Sequence, residues 1–492
     1  MKTSLWRIPI SPLVGFFCIS LLYACVSPNV IVEEQGIPSK PEPRLATAIT
    51  SSDKPFEFLL KWDARGDTSL SVKSDEQVLP PVTTPKPDLT PIQRAQGSFH
   101  FVAIGDGLAA GVRDGGYFRE GQLTSFPNLI ARQMGVAFQQ PLFELNEGNG
   151  SGYKVLTTTN PVPTYRLVAN QLGINQAAPV DKFKRVKGKI DNLAFPFMLR
   201  DGAGVMVHKD GSTGTRSPDY DWYLSFLRIA ETNGSSEPNE FNLRNWYANR
   251  QDCDFFVMNL GYDDVYQGLM RGAFANGGIS GFPGESALNT GEIHLMNNFG
   301  QLKAKGVVAT VPEICEFPFF KQYSFEKLKK IYPNAQVTVR LVDSDKIRYV
   351  NADPEKDLLL PTPEVEKMFR GENGFVIGER DIISYKSPRG GNEYLPTVEG
   401  YNKTKIRITA DKWGFAVVDL YSIYKKIIQG NYVTDDGVKV DATFPEGNFF
   451  SSDGVYPTAF GQAVIANEYI KAANQQYTIN IPLVQTRVFL KR

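Results

Sequence analysis

Apolar residues fall into two recurring patterns between residues 99 and 492. Short, nearly continuous runs read as strands covered on both faces: Phe99–Ile104, Asp254–Leu260, Val307–Val311 and Phe415–Leu420. Other stretches carry helical spacing. Phe126, Leu129, Ile130 and Met134 lie three or four residues apart, and Pro127 suits a first helical turn. Gly414 reads as a helix stop before the last run, and Thr458 can cap a final helix carrying Phe460, Val464 and Ile465. Alternating strands and helices predict an α/β sandwich with a mostly parallel sheet. Residues 316–395 break the alternation. They are rich in charge, Pro and Gly, and are predicted to form an insertion at the sheet's carboxyl-terminal edge, where insertions shape or cover binding faces.

Upstream of residue 99 both patterns fade. Residues 26–98 hold ten prolines among Ser, Thr and charged residues. Too few apolar side chains are present to offset the entropy of ordering, so residues 25–98 are predicted to be a tether. Phe56, Phe58, Leu59, Leu60 and Trp62 form an apolar cluster within it, suited to a sheet edge, a partner or a local contact. At the start, Lys2 and Arg7 precede a mostly apolar run, Ile8 to Tyr23. That run is shorter than the ~20 residues a bilayer span needs, and predicts a signal peptide over residues 1–24. Leu22-Tyr23-Ala24-Cys25 resembles a lipobox, which implies cleavage before Cys25 and diacylation of its thiol. Lipid on Cys25 would then be the only anchor.

Composition narrows the possible functions. The chain carries 53 basic and 53 acidic side chains, and loss of Lys2 and Arg7 leaves a slight acidic excess. No electrostatic argument for nucleic acid follows. After Cys18 and Cys25, only Cys253 and Cys315 remain, so no disulfide framework is expected. The two belong at opposite ends of neighbouring parallel strands, ~23 Å apart, beyond the reach of a disulfide.

Four blocks carry candidate chemistry. The first, Phe101-Val102-Ala103-Ile104-Gly105-Asp106-Gly107-Leu108, continues in Gly121-Gln122-Leu123-Thr124-Ser125-Phe126-Pro127-Asn128. Asn192-Leu193-Ala194-Phe195-Pro196-Phe197 and Gly261-Tyr262-Asp263-Asp264 lie between these and Asp453-Gly454-Val455-Tyr456-Pro457-Thr458. In this order they resemble the blocks of the SGNH (GDSL-type) hydrolases, in particular lipoproteins of Bacteroidota-type bacteria. The resemblance spans residues 101–467. It implies a flavodoxin-like three-layer sandwich in residues 99–492, and an outer-membrane location on the cell surface or the periplasmic face.

Ester hydrolysis by this route needs a hydroxyl nucleophile, a histidine base, an orienting carboxylate and donors aimed at the developing oxyanion. The resemblance places Gly107 where the family has its serine and Tyr456 where it has its histidine. Asp263 replaces the oxyanion asparagine, and Phe197 the oxyanion glycine. Asp453 is retained. A phenol is a poor base near neutral pH, and an ionised carboxylate in a donor's place repels an oxyanion.

His100, His208 and His294 are the only histidines, and each reads as a surface or packing residue. Ser151 reads as a loop residue without a nucleophile elbow. Asp106, Asp263, Asp264 and Asp453 would sit near strand ends, an oxygen set suited to calcium or magnesium. The family's counterparts of Asp106 and Asp264 are structural, however, so neither metal nor cofactor is expected.

The expected function is therefore a catalytically inactive surface lipoprotein, a binding or scaffolding subunit with a protein partner in the outer membrane. One alternative is a GDSL-type esterase or deacetylase with relocated catalytic residues. Another is a glycan- or lipid-binding module using the old cleft. Asp106, Tyr262 and Asp264, with Tyr117, Phe118, Tyr266 and Tyr456, are candidates to line that cleft.

Overall fold

A computed structural model describes residues 73–94, 97–159, 163–168, short pieces from 173 to 198, then 206–208, 228–229, 240–242, 252–270, 291–343, 346–383 and 398–490. The predicted signal peptide, Cys25 and the Phe56–Trp62 cluster lie outside the described residues.

Four strands form the central sheet: β1 (Phe101–Gly105), β2 (Phe255–Asn259), β3 (Lys305–Ala309) and β4 (Ala416–Val418). They lie in the order β1-β2-β3-β4, and every pairing is parallel. On the other side of β1, Ala103 N–H donates to Asp191 O and Leu193 N–H donates to Ala103 O. That parallel bridge at Asn192 makes β1 an interior strand, which explains its unbroken apolar sequence.

The longer helices among the described residues are α1 (Phe126–Met134), α2 (Tyr262–Met270), α3 (Gly291–Gln301), α4 (Pro363–Arg370), α5 (Leu420–Ile428) and α6 (Ala459–Tyr477), and all but α4 contribute to the core around the sheet. Successive side chains on a strand point to opposite faces, and β2 shows where they go. Phe255 meets the Tyr477 ring of α6 edge-on, whereas Phe256 stacks on Phe299 of α3. Phe126 of α1 stacks on Tyr469 of α6, joining those two helices on one face. Helices thus cover both faces of a mostly parallel sheet. The predicted cap is present, with Thr458 Oγ1 accepting from Gly461 N–H at 3.1 Å.

Residues 323–382 hold a hydrophobic core of their own, built from Phe325, Leu328, Val339, Leu341, Val365, Phe369 and Ile382. This second core begins at Tyr323. Phe317 and Phe320 belong to the main core, because this short aromatic run has ring partners there.

The predicted tether also needs correcting. Residues 73–94 pack on the domain. Val78, Leu79 and Ile92 are buried. The Arg119 guanidinium donates to both Asp75 oxygens at 2.8 and 3.0 Å, and Arg94 N–H donates to Asp254 Oδ1 at 2.8 Å. Three apolar side chains and these donors are enough to dock a proline-rich segment. Cys253 and Cys315 are buried and form no disulfide with each other. Among the described residues no helix is long and apolar enough to cross a membrane.

Candidate functional site

The carboxyl end of β1 runs directly into a single helical turn, Gly107–Ala110. Asp106 caps that turn: its Oδ1 accepts from Leu108 N–H at 3.3 Å, and its Oδ2 accepts from Asp263 N–H at 3.1 Å. Asp106 thereby ties the end of β1 to the first turn of α2, which follows β2.

Asp263 is the centre of the site. Its Oδ2 accepts from Gly107 N–H at 2.8 Å and from Phe197 N–H at 2.7 Å. Its Oδ1 accepts from the Tyr456 hydroxyl at 2.6 Å. One wholly buried carboxylate is thus held by three donors from three separate stretches of chain. Phe197 has a φ of 65°, the left-handed region that non-glycine residues rarely adopt, and this aims its N–H at Asp263. The Phe197 side chain lies in the core and is not an obstruction. The resemblance sets Phe197 in the place of the oxyanion glycine, and its backbone N–H is still a donor here, because a side-chain change leaves that N–H in place.

A side chain at residue 107 would crowd this arrangement. A Cβ there would lie 2.8 Å from the Tyr456 hydroxyl and 2.9 Å from Asp263 Oδ2. Asp453 orients no imidazole. It accepts from Gly115, Val455 and Tyr456 N–H, each at 2.8 Å, and so fixes the loop that presents Tyr456.

Burial pushes the Asp263 carboxyl up to about 6, against the pull of its three hydrogen bonds. Its three donors favour the carboxylate over the acid. Burial, and then the charge of Asp263, push Asp106 well above the ordinary carboxylate range. Burial raises Asp453 as well. Burial and the Asp263 charge raise Tyr456 far above a free phenol, so it remains a donor.

The residues expected to line a cleft are interior. Asp106, Tyr262 and Asp264 are buried, as are Tyr117, Phe118, Tyr266 and Tyr456. The segment Phe317-Pro318-Phe319-Phe320 packs against two of them, Tyr262 and Tyr266. Phe317 lies 5.7 Å from the Tyr262 ring, and Phe319 lies 5.6 Å from Tyr266. Tyr262 donates to Val455 O at 2.6 Å. These four residues were missed as part of the site. Their signal was an apolar aromatic run inside an otherwise charged segment.

The remaining candidates lie elsewhere. Ser151 is buried, and its Oγ accepts from Tyr117 N–H at 2.8 Å, a structural use of the hydroxyl. His100 precedes the amino end of β1, beside Ser98 and Asp252. His294 lies on α3, and His208 ends a short strand, Met206–His208. No group of three metal-ligating side chains occurs among the described residues. The site brings together Gly107, Phe197, Asp263 and Tyr456, with Asp106 and Asp453 bracing the backbone. It holds a fixed anion against two converging amides, and it holds neither a hydroxyl nucleophile nor an imidazole. No family model, curated protein or solved structure matches the chain, so its function has to be read from this geometry and the sequence blocks.

Proposed function

We propose that the chain is a non-catalytic SGNH/GDSL-like lipoprotein, a binding or scaffolding subunit held at the outer membrane by lipid on Cys25. One observation carries the non-catalytic part. The Asp263 carboxylate occupies the point where Gly107 N–H and Phe197 N–H converge. In an SGNH-like site the amides at these two positions would stabilise an oxyanion. Here the protein supplies the anion itself, and Tyr456 locks it in place. The order of the parallel strands, with the Asn192 bridge flanking β1, agrees with a flavodoxin-like arrangement. The lipid anchor and the compartment rest on the Leu22–Cys25 motif and the resemblance alone.

Serine-directed fluorophosphonate probes and short p-nitrophenyl esters test the reading. Neither labelling nor turnover is expected from the purified full chain. Stoichiometric labelling, or turnover abolished by one substitution, would replace it with an esterase using relocated residues.

A further inference from the structure

Helix α3 ends on a strained residue. Lys303 N–H donates to Gly300 O at 3.0 Å and Ala304 N–H donates to Phe299 O at 3.1 Å. That pair of bonds closes a helix through one residue in the left-handed region, most often glycine. Here the residue is Lys303, with a φ of 59°. The same pair of bonds closes helical turns at Gly111, Gly135, Gly371, Gly414 and Gly430, and at each of these the chain uses glycine. A side chain in this region crowds its own backbone. A lysine elsewhere in the last turn would complement the helix dipole without that strain. The dipole alone therefore does not account for Lys303.

Lys303 borders a pocket of about 420 Å³ at the amino ends of β2 and β3. Pro91 of the docked segment and Leu302 supply apolar wall. Lys305 supplies a second ammonium group, 5.8 Å from the centre of the Tyr477 ring. Neither lysine has a carboxylate partner among the described residues. Two carboxylates also line the pocket, and both are engaged. Asp254 accepts from Arg94 N–H at 2.8 Å and from His100 N–H at 2.9 Å. Asp252 is paired with Lys189 at 2.6 Å. Four cations, Arg94, Lys189, Lys303 and Lys305, thus stand against two carboxylates.

We propose that this pocket binds a small organic anion. Its carboxylate or phosphate lies between the Lys303 and Lys305 ammonium groups, and its apolar body rests on Pro91 and Leu302. The volume is that of a small-molecule site. The strain at Lys303 is then explained by what its side chain holds, as strain at a ligand site is. Pro91 belongs to the docked segment, whereas Leu302, Lys303 and Lys305 belong to the body, so the ligand clasps one to the other. The Asp263 site lies beyond the opposite, carboxyl ends of the strands. Anion binding here would give the proposed binding role a ligand, but either reading can fail alone.

Thermal melts of the purified full chain with benzoate, phenyl phosphate or benzamide test this. At least one of the two anions should raise Tm in a saturable way, and the larger rise tells carboxylate from phosphate. Benzamide has nearly the shape of benzoate without its charge, and should leave Tm unchanged. Lys303→Gly should raise Tm in the absence of ligand, because glycine relieves the strain, and should remove most of the anion's effect. Lys305→Gln should weaken that effect as well. A protein that becomes more stable while binding less separates a lysine that holds a ligand from one that merely ends a helix. A fall in the ligand-free Tm of Lys303→Gly would make the lysine structural and overturn the proposal. So would an equal response to benzamide, an anion effect unchanged in both variants, or no saturable rise with either anion.

Discussion

A Cβ on residue 107 would lie 2.8 Å from the Tyr456 hydroxyl, inside ordinary contact distance, with Asp263 Oδ2 almost as near. Gly107→Ala should therefore cost about 1–3 kcal/mol by overpacking. Tyr456→Phe removes the nearest atom, but also a hydrogen bond to a charged group, at about 1.5–3 kcal/mol. The double variant should lose less than the sum, because the phenylalanine makes room for the alanine. Denaturant unfolding of the four proteins measures this, and strict additivity would refute the crowding. Asp263 adds a pH signature. Its folded carboxyl holds a proton up to about pH 6, whereas the unfolded one releases it near 3.8. The folded state thus binds the extra proton between those values, so this contribution to stability is fully present below 3.8 and is lost as pH rises through 6. In Asp263→Asn the amide oxygen can accept both N–H groups, and the contribution disappears. The variant should gain in Tm relative to the parent between pH 4.5 and 7.5, and a constant difference would show that Asp263 does not titrate there. The sequence blocks bring Gly107, Asp263 and Tyr456 to notice as a set. They say nothing of the direction of a backbone N–H, which is why Phe197 read as a replaced glycine and its N–H went unnoticed as a donor.

Strands and helices are more legible than the contacts they make. The four apolar runs all became strands of one sheet, with ends shifted by one or two residues. The run Phe415–Leu420 shows why: Asp419 leaves the strand to accept from Ser422 N–H at 3.3 Å and cap α5. Periodicity found α1, and nothing in it revealed that α3 needs a small residue where it meets the Ile408–Trp413 helix. A Cβ on Gly300 would lie 2.1 Å from Trp413 Cδ2. Alanine is the better helix former by ~1 kcal/mol, yet Gly300→Ala should destabilise by about 1–3 kcal/mol, since the Trp413 ring must move. Thermal melts followed by circular dichroism check the sign, and a rise in Tm would mean that the ring yields freely. The insertion was visible as a break in alternation. Its separate core was not, because Val339, Leu341, Phe369 and Ile382 are too far apart in sequence to show a period.

At the scale of the whole molecule, proline content misjudged where the folded body begins. Ten prolines suggested a tether to residue 98, but docking depends on a few buried groups rather than on an average. A chain beginning at residue 73 should melt well above one beginning at 99. The shorter chain loses buried Val78, Leu79 and Ile92, together worth at least ~3 kcal/mol, and leaves Asp254 without the Arg94 N–H. Equal melting temperatures would show that the segment merely rests on the surface. The docked segment also sets a load path. A pull applied to the chain ahead of residue 73 meets the Arg119–Asp75 pair and the buried Val78 before it can reach β1. Those contacts can detach one after another, and a resistance to force is governed by the rate of that detachment rather than by the equilibrium stability of the sheet. Residues 73–94 therefore act as a mechanical fuse, yielding in steps while the sheet behind them stays whole.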